Sequence, residues 1–162
     1  MAQPDIRLRP ATPDDSALIA ELIFELATYE KQPEDCHATP DKVRAQLFDR
    51  QPPAAECVIG ELHGEPVGFA LWCHNFSTWE CAPGLYLEDL FVRPDARGQG
   101  VGKALFQHMA ELAVARGCAR FEFSVLDWNT PSIEFYKAHG AKCMDGWHVY
   151  RVDGEALRRL AQ

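Results

Sequence analysis

No stretch of this 162-residue chain approaches the roughly twenty apolar residues that a membrane-spanning helix needs, and no apolar run follows the opening Met-Ala-Gln-Pro-Asp. Neither a membrane anchor nor a signal peptide is expected, and the chain reads as cytoplasmic. Six cysteines are present (Cys36, Cys57, Cys73, Cys81, Cys118 and Cys143), yet no two form a C-x-x-C pair, so no disulfide is required. Cys36-His37 and Cys73-His74 stand alone, without a second pair at zinc spacing, and no metal is expected. Basic residues number 16 against 24 acidic ones, a net charge of -8, and they form no stripe. Nucleic acid is therefore not expected as a partner. Repeats and low-complexity tracts are also missing. A hydrophobic content of 47% suits one globular domain over residues 1–162.

What the chain does have is concentrated between Leu85 and Lys103, within GLYLEDLFVRPDARGQGVGKALF. An apolar strand, Leu85 to Val92, is interrupted only by Glu88 and Asp89 and stopped by Pro94, which has no N–H to donate. A turn must follow, and Arg97, Gly98, Gln99, Gly100, Val101 and Gly102 supply it. From Gly100 on, Val101, Leu105, Met109, Leu112 and Ala113 recur at helical spacing up to Gly117, a helix C-cap. The helix thus begins inside the glycine run, where unsatisfied N–H groups and the helix dipole favour an anion, most simply a phosphate or pyrophosphate.

Two common phosphate loops do not fit. A P-loop needs a glycine five residues before Gly102-Lys103 and a Ser or Thr after it, where this chain has Arg97 and Ala104. A dinucleotide fingerprint read from Gly98 and Gly100 needs a third glycine where Lys103 stands. The run R-G-Q-G-V-G instead resembles the Q/R-x-x-G-x-G/A loop of the GNAT N-acetyltransferases. Three further segments, E-L-A-T-Y-E (25–30), G-L-Y-L-E-D-L-F-V (84–92) and W-N-T-P-S-I-E-F-Y-K-A-H-G-A (128–141), resemble the branch that acetylates spermidine, spermine or thialysine.

The resemblance implies an α/β (α+β) GNAT fold, with a mixed, mostly antiparallel central sheet of six to seven strands flanked by helices. It implies acetyl-CoA as co-substrate, held by Arg97, Gly98, Gln99, Gly100, Val101, Gly102 and Lys103 and by the segment Asn129, Thr130, Pro131 and Ser132. A small cationic amine would be the acceptor, touching Tyr29, Glu30, Glu122, Phe123 and Ser124, and a homodimer is expected. The loop Ser77 to Gly84 differs from that of animal diamine acetyltransferases, which leaves polyamine, thialysine and lysine-like amines all open.

The chemistry narrows the catalytic candidates. An alkyl ammonium, with a pKa of about 10.4, cannot attack a thioester until its proton is removed. Glu88, on the strand just upstream of the cradle, is placed to bind the ammonium and take that proton. A carboxylate satisfied by backbone N–H groups or an arginine is the structural alternative, and it suits Asp89 better than Glu88. Main-chain N–H groups around Leu90, Phe91 and Val92 are candidates for stabilising the oxyanion. Tyr136 matches the family's general acid, and its ordinary pKa of about 10 suits protonation of a leaving thiolate. A catalytically silent acyl-CoA sensor, or a transferase acting on protein lysine or an aminoglycoside, would share the cradle.

Along the rest of the chain, the opening I-R-L-R-P-A-T-P-D-D resembles the first strand of a GNAT domain, and a helix is expected from Pro13 to about Tyr29, with Thr12 and Asp15 forming a capping box. A helix capped by Thr39 follows, then a hairpin from Cys57 to Cys73 turning at His63-Gly64, and a loop over 75–84. A strand at Arg120–Val125, a helix at Thr130–His139, one or two closing strands within Cys143–Val152 and a terminal helix at Glu155–Leu160 complete the reading.

Overall fold

The computed structural model describes residues 4–162, which gather into two compact units, one running to Ser124 and the other Val125–Gln162. Among the described residues no helix is long and apolar enough to cross a membrane.

The first unit is built on a five-stranded sheet in the order β1 (Ile6–Pro10), β2 (Glu56–Leu62), β3 (Glu65–Ser77), β4 (Ala82–Val92) and β5 (Arg120–Phe123). The first four strands are antiparallel, whereas β4 and β5 run parallel. A parallel pair cannot be joined by a tight turn, and the crossover is α3 (Val101–Ala115). On one face, Ile19, Ala20 and Leu22 of α1 (Ser16–Tyr29) and Val43 of α2 (Pro40–Arg44) pack with Cys57, Ile59, Phe69, Leu71 and Phe91 of the strands. Also buried are Val101, Leu105, Phe106, Met109 and Ala113, one stripe of α3. Large side chains withdrawn from water in this way contribute about 1.5–3 kcal/mol each.

Local chemistry fixes the single 3-10 turn, Pro13–Asp15, that leads into α1. Asp15 closes the expected capping box by accepting from Thr12 N (2.7 Å) and Thr12 Oγ1 (3.0 Å). Arg9 on β1 grips the same carboxylate with two bonds of 2.8 Å and reaches Glu61 on β2 at 2.6 Å, so strand and helix start are tied together. These bonds hold Asp15 at a pKa of about 2. At the far end of α1, Arg93 binds Glu25 at 2.8 Å and Glu21 at 2.5 Å, anchoring the helix to the end of β4.

Two expectations are corrected. Residues 75–84 do not form a loop: β3 extends to Ser77 and β4 starts at Ala82, pairing Asn75 with Gly84 and Ser77 with Ala82. Among the described residues the sheet has five strands rather than six or seven, and no strand forms within Cys143–Val152.

The second unit comprises α4 (Thr130–Ala138), an irregular segment and α5 (Gly154–Leu160). Asn129 caps α4 by accepting from Ser132 N at 3.4 Å, and Pro131 occupies the first turn, where a missing N–H costs nothing. Met144, Trp147, Val149, Tyr150 and Val152 all remain exposed. Their apolar alternation resembles a strand, but a strand needs a paired neighbour to satisfy its backbone, and this segment has none among the described residues.

Candidate active site

The ladder between β3 and β4 breaks at one place. Trp72 pairs with Leu87 and Leu71 with Asp89, which leaves Glu88 as the extra residue of a β-bulge. A bulge re-aims side chains and is common beside functional sites. Here it shifts the phase of the strand. Leu85 and Leu87 are buried before it, Phe91 and Val92 after it, and Glu88 itself is exposed.

The bulge coincides with the end of β5. β5 pairs with β4 only over Gly84–Leu87, so among the described residues β4 has no strand partner on that side from Glu88 to Val92. Arg93 N donates to Val67 O at 2.8 Å, towards β3. By strand alternation, Leu90 and Val92 therefore turn their N–H groups to the open side, while Phe91 turns its own towards β3. Two of the three expected main-chain donors thus face the side that β5 leaves uncovered.

Three carboxylates gather at this point. Asp89 is half-buried beside the bulge, and its pKa is pushed up to about 6 by loss of water and by the negative charges of Glu30 and Glu88. Glu30, the C-cap residue of α1, is raised as well, by burial. Asp89 pairs with no arginine among the described residues. A carboxylate so placed favours a cation arriving from outside. Sequence reasoning does not assign Asp89 to the site, although the Glu-Asp pair breaking an apolar strand is its signal.

The cradle follows directly. Gly98 and Gly100 adopt φ of +77° and +97°, open to glycine and strained for other residues. The N–H of Ala104 closes the first helical turn onto Gly100 O at 2.9 Å. Those of Val101, Gly102 and Lys103 lie ahead of it, with no side chain capping the helix start. A side chain at Gly98 would meet nothing within 4 Å. An uncapped helix start preceded by glycines is the kind of backbone that fits a pyrophosphate.

Arg97 behaves differently from its neighbours. Its guanidinium stacks on the Tyr29 ring at 4.6 Å and lies 5.6 Å from that of Phe91, its Nε donates to Val92 O at 2.8 Å, and its N–H goes to Pro94 O. Arg97 braces the loop against α1 and β4. A face of Tyr29, expected to meet a substrate cation, is occupied by this arginine.

Glu122 of β5 and Ser124 just past its end are held by β3 and β4 respectively. Glu122 accepts from Asn75 Nδ2 at 3.2 Å and Ser124 Oγ lies 2.9 Å from Tyr86 Oη. Phe123 packs in an aromatic cluster with Phe106 and Phe121, its ring centroid 5.6 and 5.5 Å from theirs. In the second unit, Tyr136 sits half-buried on α4, its ring 5.3 Å from that of Phe135. Thr130 and Pro131 are exposed on the first turn of α4, where Asn129 and Ser132 form its cap.

Comparisons with known proteins agree with this architecture. The model of the acetyltransferase (GNAT) family matches residues 20–141. Thialysine N-epsilon-acetyltransferase of Bos taurus is 38% identical over 167 residues, covering 96% of this chain and 97% of that one. An L-ornithine N5-acetyltransferase of Arabidopsis thaliana is 28% identical over 198 residues, covering 95% and 87%. Among solved structures, an integron cassette protein from the mobile metagenome of V. cholerae superimposes with a TM-score of 0.79 at 24% identity, covering 97% and 98%.

Proposed function

The chain belongs to the acetyltransferase (GNAT) family, and from that premise we propose that it moves an acetyl group from acetyl-CoA to the terminal amine of a small basic amino acid or related diamine. The observation carrying this reading is the cluster of Glu30, Glu88 and Asp89 beside an uncapped, glycine-lined helix start. In this reading the carboxylates take the cation and the helix start that follows β4 takes the pyrophosphate. The relatives named for thialysine Nε and L-ornithine N5 both point to the side-chain amine of a basic amino acid as acceptor.

In this reading the N–H groups of Gly98 to Lys103 hold the pyrophosphate of acetyl-CoA, which supplies an acetyl group activated as a thioester. Glu30 and Asp89 fix the cationic substrate by charge. Glu88 Oε1 or Oε2 takes the proton from the ammonium, directly or through water, and frees the lone pair for attack. In the same reading the N–H groups of Leu90 and Val92 receive the negative charge that develops on the acyl oxygen. Tyr136 Oη supplies the proton that the leaving thiol carries away, as the tyrosine of its motif does in the family. A homodimer belongs to the same proposal, supported by the exposed Trp147, Val149 and Tyr150, whose burial by a second copy would remove apolar surface from water.

The test is steady-state thiol release by Glu88→Gln alongside calorimetric titration with coenzyme A. Loss of about 100-fold or more in kcat with unchanged coenzyme A affinity is the result expected of a general base. Wild-type turnover in that variant would remove Glu88 from the mechanism.

A further inference from the structure

The bulge leaves Glu88 without a cross-strand partner, and a base on a bulge needs something to fix its side chain. On β3, Cys73 stands opposite Tyr86, one residue beyond the break. Its Sγ lies 3.8 Å from Glu88 Oε1, the one side-chain hydrogen bond that Glu88 makes among the described residues. No arginine, lysine or hydroxyl among them shares that carboxylate. Cys73 itself is half-buried.

We infer that Cys73 is a positioning residue for Glu88, its thiol donating to Oε1 and holding the carboxylate in one orientation over the open side of β4. The inference rests on the reading of Glu88 as the base. The choice of sulfur has a physical consequence. A thiol is a weak donor, so it orients the carboxylate while stabilising its charged form less than a hydroxyl at the same place would. The group stays protonated as this requires, because burial and the adjacent Glu88 charge both push the Cys73 thiol up.

Replacing the thiol should therefore produce an ordered series. The titratable groups around Glu88 are Cys73 on β3, Asp89 on β4 and, acting on Asp89, Glu30 at the end of α1. The pH dependence of kcat/KM reads the acidic groups of the free enzyme. A stronger donor in Cys73→Ser should move the acid limb to lower pH, and removal of the donor in Cys73→Ala should move it to higher pH. Loss of orientation in Cys73→Ala should also lower kcat about 3- to 10-fold, the scale of one modest hydrogen bond. The KM for acetyl-CoA should be unchanged in both.

The experiment is the pH–rate profile of wild type, Cys73→Ser, Cys73→Ala and Glu88→Gln with a thialysine or lysine acceptor. A limb that moves in opposite directions in the two cysteine variants, and disappears in Glu88→Gln, is the expected result. A limb lost in Glu88→Gln but unmoved in both cysteine variants overturns the role of Cys73 alone. A limb and rate retained in Glu88→Gln overturn the base assignment, and this inference with it. Should Cys73→Ala fail to fold, the near-isosteric Cys73→Ser decides the question through the direction of its limb.

Discussion

An unpaired carboxylate half-buried beside two others is a cost to the folded chain, and Asp89 allows that cost to be measured. Its pKa is raised from 3.8 to about 6. A tenfold change in proton affinity is worth about 1.4 kcal/mol, so the ionised form costs up to about 3 kcal/mol, an upper figure because Glu30 and Glu88 share the protons of this site. Between these two pKa values the folded state binds more protons than the unfolded state. The contribution of Asp89 to stability is therefore fully present below about pH 4, falls as pH rises, and is lost above about pH 6. Asp89→Asn has no charge to desolvate. The variant should be more stable than wild type by about 1–3 kcal/mol at pH 8, a rise of several degrees in Tm for a chain of this size. Near pH 4 the two proteins should melt together. Paired thermal melts by circular dichroism at pH 4 and pH 8 provide the comparison, with the difference between the two proteins cancelling titrations away from this site. An offset that is the same at both pH values, or a variant less stable at pH 8, would refute the reasoning. A gain in stability accompanied by weaker binding of a cationic amine would show that the strain serves recognition.

Other perturbations address the scaffold, the cradle and the second unit. Asp15 is held at about 2 by Arg9 and Thr12, the opposite sign to Asp89. Its contribution is present above about pH 4 and lost as pH falls through about 2, so Asp15→Asn should cost about 1–2 kcal/mol at pH 7 in urea unfolding and little at pH 2. Gly100→Ala places a Cβ at φ +97° and 3.4 Å from Ile6 Cδ1. It should cost about 1–2 kcal/mol and raise the Kd for coenzyme A by calorimetry, with the amine site unaffected. Tyr136→Phe should retain coenzyme A binding while losing about 100-fold in kcat, read by thiol release.

Elements with strong local signals are legible from sequence. The capping box at Thr12 and Asp15, the turn at His63-Gly64 and the glycine run opening α3 all rest on residues adjacent in the chain. Residues 75–84 read as a loop because Asn75, Ser77, Pro83 and Gly84 carry turn propensity, while long-range pairing between β3 and β4 decides their state. The segment 143–152 errs the other way, with an alternation that suggests strands where no neighbour among the described residues pairs with it. The bulge leaves a trace that counting can find. The apolar positions run Leu85, Leu87, then Leu90 and Val92, a phase slip of one residue at Glu88-Asp89. The gathering of Glu30 with Asp89, the stacking of Arg97 on Tyr29 and the thiol of Cys73 beside Glu88 join residues far apart in sequence, and no local pattern encodes them.

The most direct measurement is thiol release from acetyl-CoA against a panel of thialysine, ornithine, lysine, putrescine, spermidine, spermine, a lysine peptide and an aminoglycoside. Turnover with a basic amino acid or diamine, lost in Glu88→Gln, is the predicted result. Absence of release with every small amine, from a protein that still binds coenzyme A, would contradict the account.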